Sequence, residues 1–370
     1  MAIIAKFTRT LPAPTATISG GFVFLLSAGW FTDSDTGTAG SPIDGGTNSM
    51  ANGGGDMQIF SDTATTTRLP IEVVTFVTGG SPQCQVWVRT PSYTTGDTIT
   101  IGKDDTQTTQ PATGTTFGRN NVYQDYSASW HFNALPGNSS SDVIDVTGNG
   151  NNGTGAGFSA GDVVSGLNGN ALNFDVNSIS IPSSVDVQAQ STTGFTISLL
   201  VNVEVLTSDG TIVGKGNGFD REYMSDINNA ANLRLFCDGG QPNVQSSFSG
   251  LGLSTGVWYF FNIRIGTGDS SLAELIVDGV QLLSGSTSGS ILNNSLDLVF
   301  GAEGVTNDFF DGKIEKVSIR QNNISNSTIL SEYNNQSDPD NFGTSSEYIL
   351  VGGSGISLTP STINSSSVTL

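Results

Sequence analysis

Apolar and polar residues alternate along most of this chain with a period of two. Residues 194–205 (GFTISLLVNVEV) place five apolar side chains on one face: Phe195, Ile197, Leu199, Val201 and Val203. This period is typical of a β-strand with one face turned towards a core. Gly, Asn, Ser and Thr clusters separate such runs, at the spacing of an antiparallel sandwich. The pattern therefore predicts an all-β protein.

Further runs predict the other strands, at residues 22–30, 57–60, 69–77, 85–89, 97–101, 171–181, 256–266, 295–300 and 313–320. Residues 272–283 predict a hairpin, because Asp278-Gly279 lies between two apolar runs and suits a tight turn with positive φ. Only residues 325–333 (SNSTILSEY) have the Ser start and apolar spacing of a short helix.

The runs fall into four consecutive parts. Residues 1–19 contain two prolines and few apolar anchors and predict an N-terminal arm, while residues 20–130 predict a small β-sandwich domain. A polar Pro/Gly/Ser connection at residues 131–141 begins a larger β domain that continues to residue 336. Residues 337–370 predict a tail with short strands at 347–351 and 355–358.

Composition narrows the functional classes. The chain has 370 residues, 13 of them basic and 33 acidic, and a net charge of -20. Such a surface repels phosphate backbones and anionic lipids, so we expect neither a nucleic-acid partner nor a membrane partner. The chain has one histidine and two cysteines, and it contains neither a CxxC nor an HExxH pattern. The common zinc and redox motifs are therefore excluded. Residues 22–31 form the longest apolar stretch, too short to cross a bilayer, and we expect no export signal.

Six motifs follow one another in a familiar order: DVTGNGNNGT (145–154), ALNFD (171–175), FTISLLVN (195–202), IVDG (276–279), FFDGKIEKVSI (309–319) and ILSEYNN (329–335). Residues 131–336 resemble the laminin-G-like jelly roll of the concanavalin A-like superfamily, in the form common in phage and bacterial surface proteins. GGDMQIFSD (54–62) and VWVRTPSY (86–93) resemble a small β domain that often precedes it. The resemblance implies a concanavalin A-like jelly-roll sandwich preceded by a smaller β-sandwich, with extended arms at both ends.

The loop that begins at Asp145 is the candidate metal site. Asp145 and Asn149 carry hard oxygen ligands among glycines that permit tight turns. The resemblance implies a structural Ca²⁺ near this loop, completed by an acidic residue on the last strand. Glu315 stands at that position, where relatives usually have Asp. The alternative is an Asx-turn hairpin without metal.

Carbohydrate contact is predicted for the segment NGFDREY, where Phe219 and Tyr223 can stack on sugar rings beside the hydrogen-bonding groups of Asp220 and Arg221. The alternative is an ordinary hairpin loop. None of the eight glutamates begins the Glu-x-Asp-x-Glu pattern of concanavalin A-like glycosidases. The sequence therefore predicts no catalytic residues and a protein that is not an enzyme.

These features favour a phage virion surface protein: a head decoration protein, or a component of a fibre or spike. It would assemble in the host cytoplasm with other capsid or tail proteins, stabilise the particle and bind host or environmental glycans through its jelly roll. Virion proteins of this kind are often trimers, so we expect a homo-oligomer whose tails exchange strands between copies. The first alternative is a secreted, extracellular bacterial adhesin or carbohydrate-binding protein. The second, less favoured, is a glycoside hydrolase.

Overall fold

The computed structural model describes residues 3–32, 39–139, 141–189, 192–206, 208–237, 242–267, 272–286, 291 and 293–351. Its strands are β1 (Ile3–Thr10), β2 (Phe22–Ser27), β3 (Met57–Phe60), β4 (Ile71–Val77), β5 (Gln83–Thr90), β6 (Thr98–Asp104), β7 (Ala128–His131), β8 (Thr154–Ala156), β9 (Val163–Ser165), β10 (Asn170–Phe174), β11 (Ser178–Ile181), β12 (Phe195–Val203), β13 (Gly210–Asn217), β14 (Asp220–Ile227), β15 (Asn232–Cys237), β16 (Val244–Ser247), β17 (Trp258–Ile265), β18 (Leu272–Val277), β19 (Val280–Ser286), β20 (Leu298–Phe300), β21 (Gly312–Arg320), β22 (Thr344–Ser345) and β23 (Ile349–Leu350). Its α-helices are α1 (Gly29–Thr32), α2 (Arg119–Val122) and α3 (Asn326–Ser337). The predicted all-β class is confirmed.

The larger domain is a sandwich of two antiparallel sheets. One has the order β19-β18-β17-β12-β21-β10-β9, with β7 also paired to β21, and the other has the order β16-β15-β14-β13-β20-β11-β8. Their facing side chains form one apolar core. Strand β12 lies centrally in its sheet and is buried on both faces, because the helix α3 packs on its outer face through Leu200 and Ile329.

Residues 171–181, predicted as one continuous run, contribute to both sheets. Strand β10 pairs with β21, whereas β11 pairs with β20 in the opposite sheet. The connecting residues therefore carry the chain across the sandwich. The predicted hairpin is confirmed: β18 and β19 pair, and Asp278 and Gly279 have φ values of 52° and 79°, as a type I′ turn requires.

The smaller domain packs two sheets, of order β22-β1-β6-β3 and β2-β5-β4, around its own core. Residues 1–19 were predicted to be an arm, but β1 forms an integral strand of this domain. Phe7 lies opposite Ile101 of β6 and is buried. The prediction was wrong for β1 because its partners lie far away in sequence, at residues 98–104, 344–345 and 349–350.

The C-terminal segment returns to the same strand. Strands β22 and β23 both pair with β1, so the two terminal segments meet within one chain. Tyr348 is fully buried in the small-domain core. Strand β23 falls within the predicted 347–351, whereas the strand predicted at 355–358 lies outside the described residues. None of the helices in the described ranges is long and apolar enough to cross a lipid bilayer.

Candidate functional site

A groove opens where the β13–β14 hairpin meets the loop between β20 and β21. We call it the hairpin-tip groove; it encloses about 550 Å³ and is lined by Asn217, Gly218, Arg221, Glu303, Gly304, Thr306, Asn307 and Asp308. Phe219 lies at the turn of the hairpin, and its side chain is 87% exposed. Both faces of an aromatic ring so exposed are accessible to a ligand.

Arg221 and Glu303 form the polar wall of this groove. The Arg221 Nη2 atom donates to Glu303 Oε1 at 2.8 Å, and the amide of Gly218 donates to the same oxygen at 2.7 Å. The guanidinium of Arg221 lies 4.7 Å from the centre of the Phe236 ring. These contacts hold the two charged groups in place before any ligand arrives, which reduces the entropy cost of binding.

The opposite wall is a loop with an unusual backbone. Val305 and Asp308 have φ values of 60° and 47°, a region that side-chain-bearing residues seldom adopt. Burial, together with a hydrogen bond to Glu303 and its negative charge, raises the pKa of Asp308 above its ordinary value. Two carboxyl groups so close in the groove repel each other when both are charged, and protonating one of them relieves this repulsion.

The structure exposes three of the four predicted glycan-contact residues, wholly or in part, and buries the fourth. Phe219 and Asp220 are exposed at the hairpin tip and Arg221 lines the groove. Tyr223, however, is buried in the sandwich core, where its hydroxyl donates to the Val187 carbonyl at 2.6 Å. Its prediction as a surface contact was wrong: the strand alternation past the turn directs this side chain inwards.

The Asp145 carboxylate is occupied by protein donors. Its Oδ1 accepts from the Ser129 amide at 3.1 Å and from the amide and hydroxyl of Thr147 at 3.0 and 2.8 Å. Its Oδ2 accepts from the Asn151 amide at 3.1 Å. Asn149 directs its Nδ2 atom, not its oxygen, to the Ser127 carbonyl at 2.9 Å. The bond from Thr147 to Asp145 is the Asx turn of the alternative interpretation.

Glu315 does not join Asp145. Its carboxylate accepts from the amides of Leu167 at 2.6 Å and Asn168 at 2.9 Å, in a different loop. Burial raises its pKa to about 7. Among the described residues, no group of three or more His, Cys, Asp or Glu side chains is spaced to hold a metal ion. The arrangement does not fit the ligand set that the resemblance implies, and calcium stays a prediction.

A second polar region lies at the junction of the two domains. His131 Nε2 lies 2.8 Å from Glu72 Oε2, and the Tyr123 hydroxyl donates to the same oxygen at 2.7 Å. Lys316 Nζ lies 3.2 Å from the centre of the Trp87 ring. Burial lowers the Lys316 pKa to about 7. Burial also raises the pKa of Glu72, but His131, Tyr123 and Lys316 outweigh this and hold it below its ordinary value.

Two cavities flank this junction. One, of about 220 Å³, includes Glu72, His131 and Asp142 in its lining. The other, of about 430 Å³, is lined by polar side chains of both domains. Sequence reasoning missed both cavities, and it also missed Glu303 and Asp308 of the hairpin-tip groove. Their only local signal is the Gly/Asn/Asp-rich stretch after β20, which by itself predicts a turn.

Comparison with known proteins identifies part of the larger domain. Residues 175–330 match the family model described as Laminin_G_3, concanavalin A-like lectin/glucanases superfamily. These residues form a concanavalin A-like domain, and the predicted resemblance is confirmed for them. No curated protein matches the chain.

Solved structures are similar at low identity. A Trypanosoma rangeli sialidase in complex with sialic acid matches with a TM-score of 0.42 and 15% identity, over 64% of this chain and 35% of the sialidase. Domain 4 of a GH43 extracellular arabinanase from Geobacillus stearothermophilus, in complex with arabinotriose, matches with a TM-score of 0.41 and 19% identity, over 56% and 98% of the two chains. The binding domain of Paraclostridial Mosquitocidal Protein 1 matches with a TM-score of 0.41 and 18% identity, over 55% and 52%. The chain spans about a third of the sialidase.

Proposed function

We propose that this chain is a non-enzymatic carbohydrate-binding protein whose concanavalin A-like domain contacts glycans at the hairpin-tip groove. The single observation that carries the proposal is the exposed Phe219 ring beside the fixed Arg221–Glu303 pair. A sugar ring presents a C–H face that stacks on an aromatic ring and hydroxyls that both donate and accept hydrogen bonds. Arg221, Glu303 and Asn307 supply the matching donors and acceptors within one groove.

The carboxyl groups of the groove support binding over hydrolysis. Glycoside hydrolysis requires two carboxyl groups that flank the scissile bond at a separation of about 5 Å or more. Glu303 Oε1 instead accepts hydrogen bonds from Arg221 Nη2 and from the Gly218 amide, so this carboxylate is already paired with protein donors. A carboxylate held in this way supports ligand binding over acid–base catalysis.

The proposal is tested on a printed array of neutral and acidic oligosaccharides. Phe219→Ala should weaken the binding of the preferred glycan about tenfold, or about 1.4 kcal/mol, because the stacking surface is lost. Val280→Ala is the matched control, since Val280 is an exposed apolar residue at the start of β19, beside another hairpin turn. Equal binding by both variants, or no glycan bound by the unmodified protein, contradicts the proposal.

We further propose that the protein is displayed on a phage virion, as a head decoration protein or as part of a fibre or spike, with capsid or tail proteins as partners. A net charge of -20, together with a single histidine and two cysteines, supports a solvent-facing structural role. Virion imaging with an antibody against residues 142–336 tests this. Labelled heads or tail tips support the proposal, whereas labelled bacterial surfaces with unlabelled particles favour the secreted adhesin.

A homo-oligomer, such as a trimer, belongs to the same proposal. The strand pairing of β1 with β22 and β23 occurs within one chain, so exchange of terminal strands between copies is not required to complete this sheet. Light scattering of the purified chain measures the oligomeric state directly. A monomer at micromolar concentration would remove the trimer from the proposal and leave glycan binding untouched.

A further inference from the structure

The larger of the two junction cavities is built from both domains. We call it the interdomain cleft; its lining residues are Val74, Thr75, Gln83, Cys84 and Gln85 of the small domain and Asn133, Asn168, Gly169 and Asn170 of the sandwich. Its volume of about 430 Å³ lies within the range of about 300–1,000 Å³ that is usual for small-molecule sites. It has no lining residue in common with the hairpin-tip groove.

The chemistry of this lining is uniform. Five of the nine lining residues carry side-chain amides, namely Gln83, Gln85, Asn133, Asn168 and Asn170, and the lining carries no formally charged group. An amide offers two donors and one acceptor oxygen, so the set can satisfy a ligand that both donates and accepts. A charged ligand would find no compensating charge in this lining and would lose its hydration on entering.

Asn168 gives a second and independent observation. Both polar atoms of its side chain, Oδ1 and Nδ2, are buried and make no hydrogen bond to the protein. Such groups are rare in native proteins, because each costs about 1–3 kcal/mol when it is left unpaired. The backbone that carries Asn168 is fixed, since Glu315 accepts from the amides of both Leu167 and Asn168. Each of the two atoms exposes less than 1 Å² to solvent, so the side chain has to turn towards the cleft before a ligand reaches them.

We propose that the interdomain cleft binds a neutral, hydroxyl-rich ligand of the size of a disaccharide. Its hydroxyls pair with the amides of both domains, and Asn168 gains partners for its two unpaired atoms when its side chain turns towards the ligand. This site goes beyond the glycan contact at the hairpin-tip groove and does not require it. Because the lining comes from both domains, an occupied cleft also fixes their relative position.

The test uses the full chain and titration calorimetry with lactose, maltose, cellobiose and the charged 3′-sialyllactose. We expect at least one neutral disaccharide to bind, and Asn168→Leu to weaken that binding at least tenfold by removing the amide while keeping the side-chain volume. Phe219→Ala should change the same affinity less than twofold. Gln83→Leu, a change to an exposed residue of the other domain, serves as the second variant should Asn168→Leu fail to fold.

Three results overturn the cleft proposal. One is the absence of binding by every neutral disaccharide, which means that the cleft holds only water. Another is a preference for 3′-sialyllactose, because the lining has no cation to receive its carboxylate. The third is binding that Phe219→Ala abolishes and the two cleft variants leave unchanged. That last result assigns the sugar to the hairpin-tip groove, so the proposed function stands while the cleft proposal fails.

Discussion

The hairpin-tip groove and the domain junction use the same kinds of groups but differ in the exposure of the aromatic ring. In the groove, Arg221 pairs with Glu303 beside the exposed Phe219 ring. At the junction, Lys316 lies over the Trp87 ring and every participating side chain is buried. The charged groups are largely buried in both regions, since Glu303 is 8% and Lys316 is 7% exposed, whereas the aromatic residue is 87% exposed at Phe219 and 1% at Trp87. The exposure of the aromatic ring therefore separates the proposed glycan contact from the structural contact.

The helix α3 extends the junction on the small-domain side. Asn335 donates to the Leu25 carbonyl at 3.0 Å and accepts from the Leu25 amide at 2.7 Å, so its side chain continues the hydrogen bonding of β2. Near it, Glu332 receives the guanidinium of Arg320 and, at 3.3 Å, the hydroxyl of Tyr126. These polar groups of α3 are all paired, and removing Glu332 would leave groups of Arg320 and Tyr126 without their partner.

The largest loss of folding stability is expected from removing the Glu332 charge of α3. Glu332→Gln leaves the Arg320 charge buried without its counter-charge, which should lower the free energy of unfolding by about 3–5 kcal/mol. Urea denaturation followed by tryptophan fluorescence measures the change. Glu204→Gln is the control: it removes an ion pair with Lys313 in which both side chains are partly exposed, and it should cost no more than about 1 kcal/mol. Similar losses in both variants would contradict the distinction between buried and exposed pairs.

A smaller, pH-dependent effect is expected at Glu315. Its pKa is raised to about 7 in the folded protein by burial, against an ordinary value of 4.5, so the folded state holds its proton more tightly. The stability that this proton contributes is complete below about pH 4.5 and is lost as the pH rises through 7. Relative to Glu315→Gln, the unmodified protein should lose about 3 kcal/mol over this interval. Parallel stability curves for the two proteins would show that Glu315 titrates normally.

The smallest effect is expected from chelation. The Asp145 oxygens accept hydrogen bonds from protein donors, and Glu315 lies against another loop. EDTA should therefore leave the melting temperature of the protein unchanged, whereas Asp145→Ala should lower it with or without EDTA, because five hydrogen bonds to its carboxylate are lost. A fall in melting temperature on chelation that Asp145→Ala abolishes would instead establish the calcium site that the resemblance implies.

Features that depend on neighbouring residues could be predicted from the sequence. The alternating pattern predicted β12 and β17, and a Ser start with apolar spacing predicted α3. The pair Asp278-Gly279 predicted its turn. Each of these features is a local conformational preference of a few adjacent residues. At the candidate site the same reasoning located Phe219 and Arg221, which stand two residues apart at one hairpin tip. The low fraction of charged residues, 12%, and the alternating pattern by themselves determined that the protein is built of β-sheets.

Only the tertiary structure decided which distant segments meet. Strand β1 lost its predicted role as an arm because β6, β22 and β23 pair with it from far along the chain. Glu303 reaches Arg221 across 82 residues, and Asn168 faces Gln85 across a domain boundary. A local sequence pattern predicts that a segment is a strand, but it does not predict which strand pairs with it. Pairing depends on how the apolar faces of all the strands of a sheet are buried together. Both candidate binding sites lie where such distant segments come together.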